Sequence, residues 1–267
     1  MTTQRVAKLM AARGMCSRRE AEELIGAGCV LVNGVPVAGQ GAKAAADAEI
    51  RLTADGLARL DRRLTVVLHK PVGVVSTQPE PGQTPAWQLL RPETQVGEID
   101  PATRARVVSS PWTLSVAGRL DRASRGLLVF TDDGVVARRI IGGQQVEKAY
   151  LVRTEPAASD GQITKLNGVL RIDSQLLRPM RVTRYDAERL RFVLVEGKKH
   201  QIRRCCRAVG LMVTDLLRVA VGPLELGDLP EGCWRVLHES EIARLQADGH
   251  VRGAEVGRRT ARRKPAR

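Results

Sequence analysis

Asp121 is an acidic residue set among cations. It lies in Gly118-Arg119-Leu120-Asp121-Arg122-Ala123-Ser124-Arg125-Gly126, followed by Leu127-Leu128-Val129-Phe130. The apolar run 127–130 reads as a buried strand, and Gly118 and Gly126 bracket a loop that feeds it. Asp121 is therefore expected on a short loop pinned to a strand, where a carboxylate can be held rigidly. The arginines around it suit a polyanionic substrate. Together these features point to an enzyme that works on nucleic acid with a carboxylate as its reactive group.

A second informative stretch is 200–209. Ile202, Cys205, Cys206 and Val209 recur at helical spacing and form one apolar stripe. Arg203 and Arg207 lie four apart on a different face, and Gly210 is placed to end the helix. The preceding Val193-Leu194-Val195-Glu196-Gly197-Lys198-Lys199 leads a strand and a basic turn into the helix N-terminus, a place that can hold phosphate. Cys205 and Cys206 could form a redox pair, but the stripe favours core packing. Tyr150 follows Glu147-Lys148 and opens a strand; the other tyrosine is Tyr185. Its ring can stack on a base, though from pattern alone it is as readily a core tyrosine.

The elements that must position these residues divide the 267-residue chain into unequal parts. The first 19 residues carry Arg5, Lys8, Arg13, Arg18 and Arg19 and no acid. Val6, Leu9 and Met10 have helical spacing. Ser17 with Glu20 is a capping box that opens a second helix burying Ala21, Leu24 and Ile25. Cys29-Val30-Leu31-Val32, Asn33-Gly34 and Val35-Pro36-Val37 read as strand, tight turn and strand. The charges on these helices fit RNA contact, or simply a solvated face.

Residues 54–62 read as a linker. Beyond it, strands are expected at 64–68, 73–76, 114–117, 126–130, 149–153, 190–195 and 234–237. Helices are expected at 133–141 and 200–209, with short ones near 87–90 and 239–245. This order argues for an α+β fold: a small N-terminal domain over 1–60, then a mixed, mostly antiparallel sheet domain with flanking helices over 61–250. Residues 91–113 read as a long loop. The tail 251–267, with Arg258, Arg259, Arg262, Arg263, Lys264 and Arg267, is expected to be disordered and to favour RNA non-specifically.

Composition narrows the function class. A net charge of +14 and a pI near 10.4 favour a nucleic-acid partner. Aromatics are only 3%, too few for an aromatic-studded RNA-binding sheet. The N-terminus MTTQRVAKLMAARG has no long apolar segment before its charges, and no segment approaches eighteen apolar residues, so neither a signal peptide nor a membrane span is expected. Five scattered cysteines without CxxC spacing argue for a reducing cytoplasm over structural disulfides. No metal is expected, since the four histidines show no clustered spacing with the cysteines. No cofactor is expected either, because GxGxxG and Walker loops are missing.

The N-terminal segment resembles the S4 RNA-binding domain through Arg5-Val6-Ala7-Lys8, Arg13-Gly14, Cys16-Ser17-Arg18-Arg19-Glu20-Ala21, Leu24-Ile25, Gly28-Cys29-Val30 and Val32-Asn33-Gly34, with Asp47-Ala48-Glu49-Ile50. It departs at Ala46, where that family often has glycine.

The larger segment resembles the pseudouridine synthases, in the branch that joins an S4 domain to a catalytic domain and modifies ribosomal RNA. The resemblance rests on His69-Lys70-Pro71-Val72-Gly73-Val74-Val75-Ser76-Thr77, Gly118-Arg119-Leu120-Asp121, Gly126-Leu127-Leu128, Glu147-Lys148-Ala149-Tyr150-Leu151-Val152 and Glu196-Gly197-Lys198-Lys199-His200-Gln201-Ile202-Arg203-Arg204. It closes on Leu217-Arg218-Val219 and Leu229-Pro230-Glu231-Gly232-Cys233-Trp234-Arg235. One departure is Ser124-Arg125 in place of threonine and glutamate, which puts a cation near the active loop.

The resemblance implies that Asp121 is the catalytic carboxylate, Tyr150 the base-stacking ring and Arg203 the basic partner of Asp121. Expected RNA contacts in the larger domain are Arg119, Lys148, Lys198, Lys199, Gln201, Arg204 and Arg218. Those in the smaller are Arg5, Lys8, Arg13, Arg18 and Arg19. The implied activity is isomerisation of uridine to pseudouridine in ribosomal RNA, large-subunit RNA ahead of small-subunit RNA, with transfer RNA as a further candidate. The expected setting is a cytoplasmic monomer acting on ribosomal RNA or a pre-ribosomal particle. The competing classes are a non-catalytic RNA-binding or assembly protein on the same fold, and an RNA methyltransferase. The joint presence of Asp121, Tyr150 and Arg203 argues against the first, and the missing glycine-rich cofactor loop against the second.

Overall fold

The computed structural model describes residues 3–142, 146–168, 170–247 and 250; the basic tail 251–267 lies outside them. In the N-terminal part, helices Val6–Ala12 and Arg18–Gly26 pack over the hairpin Val30–Val32/Val35–Pro36, whose outer neighbour is strand Ile50–Leu52. Asn33 and Gly34 take φ values of 48° and 82°, the left-handed pair that a two-residue hairpin turn requires. Val6, Leu9, Met10, Ala21, Leu24 and Ile25 meet Cys16 and Val30 in a core of their own.

The Ser17–Glu20 capping box is formed, and it does more than cap. Glu20 Oε2 accepts from Ser17 N at 2.7 Å and also from Gly134 N at 3.2 Å, at the start of helix Gly134–Ile141 in the larger part. Arg63 lies 3.2 Å from Asp133 and 3.9 Å from Glu20, and Arg138 donates to the Ala11 and Cys16 carbonyls. The two parts are therefore docked through polar contacts around one glycine.

The larger part is built on a nine-stranded sheet among the described residues. Its strands run Arg181–Arg184, Arg189–Leu194, Lys148–Glu155, Met212–Val221, Arg125–Thr131, Thr65–Lys70 and Trp234–Val236 in spatial order. Ser115–Ala117 and Leu224–Glu225 pair at its margins. Arg125–Thr131 runs parallel to Met212–Val221, and the other neighbours are antiparallel, so the sheet is mixed and mostly antiparallel. Strands Thr65–Lys70 and Arg125–Thr131 are buried along nearly their whole length, without alternation, because both faces are covered. Leu128, Phe130, Leu68 and Phe192 enter one core, whereas Leu127, Val129 and Val67 enter another, with Val136, Ile140 and Leu245 from the helices behind.

Several segments differ from expectation. Residues 54–62 are not a linker: they form helix Ala54–Asp61, opened by Thr53, whose hydroxyl accepts from Gly56 N. Residues 91–113 contain helix Pro101–Ser109, with Asp100 capping Ala102 N and Thr103 N and proline in the first turn. The Asp-Pro start signal was present, but its weak apolar period masked it. Helix Asp160–Asn167, opened by a Ser159–Gln162 capping box, was also unforeseen. Residues 73–76 do not form a strand; they turn, and only Val75 bridges to Pro85. The ten-residue strand Met212–Val221 is the central one, yet polar Thr214, Asp215 and Arg218 broke its pattern.

Candidate active site

Asp121 leaves the loop between strands Ser115–Ala117 and Arg125–Thr131, and the peptides around it are held from several directions. The Gly118 and Arg119 carbonyls accept from Arg218 at 2.8 and 3.3 Å. The Leu120 carbonyl accepts from Ser76 Oγ at 2.6 Å, and the same oxygen accepts from Leu120 N at 3.0 Å. The Asp121 carbonyl accepts from Ser124 N, closing a turn. Gly73 and Arg122 bond reciprocally: Gly73 N donates to Arg122 O, and Arg122 Nε to Gly73 O. The Ala123 carbonyl accepts from Arg203 Nη2 at 2.8 Å. The backbone is fixed and the Asp121 side chain stays 41% exposed, facing a cleft of about 710 Å³. That volume falls in the range of small-molecule sites. It suits one nucleotide turned out of its stack.

Tyr150 and Arg218, on the floor of the cleft, belong to one row across the sheet. Phe192 pairs with Tyr150, Tyr150 with Arg218, Arg218 with Gly126 and Gly126 with Lys70. Directly opposed residues of antiparallel strands share a face, so Tyr150 and Arg218 lie side by side and both line the cleft. Lys70 was not singled out by the sequence, although a lysine ending the wholly buried strand Thr65–Lys70 was the available signal. Its ammonium donates to the Pro71 and Val74 carbonyls. Burial pushes it down to about 8, with the nearby Asp121 charge opposing that shift.

The structure gathers most of the expected residues. Asp121, Tyr150, Arg203, Arg119, Lys148, Lys198, Lys199, Gln201 and Arg218 all line this cleft. Arg204 does not line it and pairs with Asp173. Gln201 is buried, bonding Glu196 and Lys198 N to shape the turn before its helix. Arg218 is buried as well, at the cleft wall, with its guanidinium turned to backbone carbonyls. Arg125 does not offer the loop a free cation: Asp215 holds it in two bonds of 2.9 and 2.7 Å, with Glu231 at 3.4 Å. On the small domain Arg5, Lys8, Arg18 and Arg19 surround a shallow concavity, while Arg13 donates to the Ala46 carbonyl.

The Arg203–Asp121 ion pair implied by the resemblance is not made. Arg203 instead holds the Ala123 and Val213 carbonyls, which compete successfully for its planar donors. Among the described residues, the side chain beside Asp121 is His200, with Nε2 3.7 Å from Oδ1. His200 begins helix Gln201–Ala208 at φ 53°, a left-handed conformation that is uncommon outside glycine. Arg203 Nε and Ser124 Oγ are buried without a partner among the described residues, and both residues border the cleft. Cys205 and Cys206 are buried in the core, and burial raises their thiols to about 11 and about 12, so they remain protonated and pack.

Lys148 supplies a pH test. Burial, helped by the Arg218 charge, lowers it from 10.5 to about 8. Between those values the unfolded chain binds the extra proton, so this residue's contribution to stability rises as pH increases from about 8 to 10.5. The Tm of the native chain minus that of Lys148→Met is expected to move in favour of the native chain between pH 7 and pH 10. A flat difference would remove the burial argument.

A fixed carboxylate, a buried tyrosine and a cation-lined cleft define an RNA-modifying site, and comparison with known proteins identifies its class. The RNA pseudouridylate synthase family matches residues 64–208, and the S4 domain matches residues 4–41. An uncharacterized RNA pseudouridine synthase of Aquifex aeolicus is 30% identical over 92% of this chain and 94% of its own length. The dual-specificity RNA pseudouridine synthase RluF of Salmonella typhi is 30% identical over 91% of this chain and 79% of its own. A crystal structure of a pseudouridylate synthase superposes with a TM-score of 0.59 at 26% identity, covering 90% of this chain and 99% of that one. The chain belongs to the RNA pseudouridine synthase family and carries an S4 RNA-binding domain.

Proposed function

We propose that this protein isomerises a specific uridine in ribosomal RNA, large-subunit RNA in preference to small-subunit RNA, acting as a monomer in the cytoplasm. The observation that carries this reading is the tethered loop that presents Asp121 to a cation-rich cleft floored by Tyr150. The reaction breaks the N1–C1′ bond, turns the uracil and joins C5 to C1′. One proton leaves C5 and one arrives at N1, so atoms balance without a co-reactant. Asp121 serves as the carboxylate that bonds to, or stabilises, the electron-poor sugar. Loop tethering sets its distance to that carbon, and orientation of this kind supplies much of an enzymatic rate. Arg203 and Ser124 border the cleft, and each keeps a buried polar atom, Nε and Oγ, without a partner among the described residues.

The preference for large-subunit RNA rests on the Asp-x-x-Ser-x-Gly-Leu form of residues 121–127. Mapping pseudouridine in all stable RNAs from cells with and without the gene tests it. Loss of one or a few large-subunit positions is expected. Transfer RNA, the further candidate, belongs in the map, and the Salmonella relative's description as a dual-specificity enzyme is reason to look at more than one RNA class. Loss confined to small-subunit or transfer RNA would redirect the substrate, and an unchanged map would favour a binding protein on this fold.

Tyr150 has its own test. Tyr150→Phe keeps the ring, whose stacking is worth about 1–3 kcal/mol. It is expected to hold RNA nearly as well as the native chain while turnover falls. Tyr150→Ala empties a site that is 8% exposed, and is expected to lose stability by about 3 kcal/mol or more as well as activity. Native turnover in both variants would return Tyr150 to a purely packing role.

A further inference from the structure

We infer that Arg218 is the positioning residue of the Asp121 loop, a strut that ties the loop to the central strands, and not an RNA contact. The inference rests on the reading of Asp121 as the reactive carboxylate.

Arg218 is 1% exposed. Its Nε donates to the Leu127 carbonyl at 2.8 Å, Nη2 to Gly118 at 2.8 Å and Nη1 to Arg119 at 3.3 Å. One side chain thus joins three pieces: its own strand, the neighbouring strand through Leu127, and the loop through Gly118 and Arg119. The two strand backbones also approach closely here: a Cβ at Gly126 would lie 2.3 Å from the backbone carbonyl oxygen of Arg218, whatever side chain residue 218 carried. Gly118, at φ +84°, lets the loop turn over the guanidinium.

The chemistry of the partners points to position over stability. Burying a charge against neutral carbonyls is costly, and the guanidinium is matched to three of them at once, two on the Asp121 loop and one on the neighbouring strand. A methionine would lack donors in a rigid planar fork. Lysine can satisfy some of these carbonyls but cannot span them in one plane. Asp121 lies two residues beyond Arg119, so slack at Gly118 and Arg119 passes directly to the carboxylate. The same charge also reaches the clefts' buried lysines, lowering both Lys70 and Lys148.

Arg218→Lys and Arg218→Met in the full chain test this with two independent readouts. The first is amide hydrogen exchange. Arg218→Lys is expected to fold, with exchange in 118–121 faster by about tenfold or more and exchange in 127–131 unchanged. The second is turnover on ribosomal RNA. Here kcat is expected to fall by roughly a hundredfold with KM within about threefold of the native value, because displacement of about 1 Å is costly to the chemical step and not to docking. Lysine is expected to retain more kcat than methionine. A raised KM with native kcat would make Arg218 an RNA contact and overturn the inference. So would unchanged exchange in 118–121, or an Arg218→Lys chain that does not fold, which would make the side chain a general core element. The exchange readout needs no reaction. Were the native chain to convert no uridine, the proposed function would fall while exchange still judged the strut.

Discussion

Asp121→Asn is expected to reduce turnover to background, a loss of at least about a thousandfold, while fold and RNA affinity stay close to native. The side chain carries no structural load. It is 41% exposed, with His200 Nε2 3.7 Å from its Oδ1. The loop is held by backbone carbonyls and amides, through Arg218, Ser76, Gly73, Ser124 and Arg203. None of those bonds involves the carboxylate. Exposed substitutions away from such anchors change stability by about 0.5 kcal/mol or less. The amide is nearly isosteric but has no charge with which to attack or stabilise an electron-poor sugar. Single-turnover conversion of an RNA substrate, with native contamination excluded, is the measurement. Conversion at more than a few per cent of the native rate would take the chemistry away from Asp121, and loss of RNA binding in parallel would make it a docking residue.

Several elements of the fold were legible in the sequence because they are local. The Ser17–Glu20 box, the Asn33-Gly34 turn, the 127–130 run and the Ile202, Cys205 and Cys206 stripe each encode their geometry within a few residues, and each is found as read. The long central strand was hidden because Asp215 and Arg218 interrupt its apolar pattern. Their partners, Arg125 and the Gly118 carbonyl, are 90 and 100 residues away in sequence. A buried cation and a surface cation look alike in a sequence. Arg218 was therefore read as an RNA contact, and Lys70 was passed over. Helix Pro101–Ser109 fails differently: its cap is local, but it buries only Val107, which leaves too little apolar period to see. The Arg203–Asp121 pair shows the limit of resemblance, since a shared motif names the residues but not which acceptor wins each donor.

Gly134→Ala is expected to separate docking from catalysis. Gly134 is the first residue of helix Gly134–Ile141, where alanine is intrinsically the better helix former by about 1 kcal/mol. Yet a Cβ at this position would lie 2.2 Å from Ser17 Cβ and 2.5 Å from Glu20 Oε2, too close for either group to remain. The helix should be kept and the interface lost. With it go the Glu20–Gly134 hydrogen bond and the registration of Arg63 and Arg138. The small domain has its own core from Val6, Met10, Leu24 and Ile25, so it is expected to stay folded but no longer fixed in orientation. Arg5, Lys8, Arg18 and Arg19, which line a concavity together with Glu22 and Glu23, are expected to meet phosphate, and phosphate contacts position an RNA without specifying a base. A docked domain therefore acts as a ruler between the gripped helix and the Asp121 cleft. A loosened one offers the same contacts at lower effective concentration. KM for ribosomal RNA is expected to rise by about tenfold with kcat at saturation within about threefold, and the rise should shrink at low ionic strength. Small-angle scattering should show a larger radius of gyration than the native chain. A compact variant with native KM would mean that the contacts around Gly134 do not set the domain orientation. A compact variant with low kcat would place their influence on the strand Arg125–Thr131 that precedes the helix.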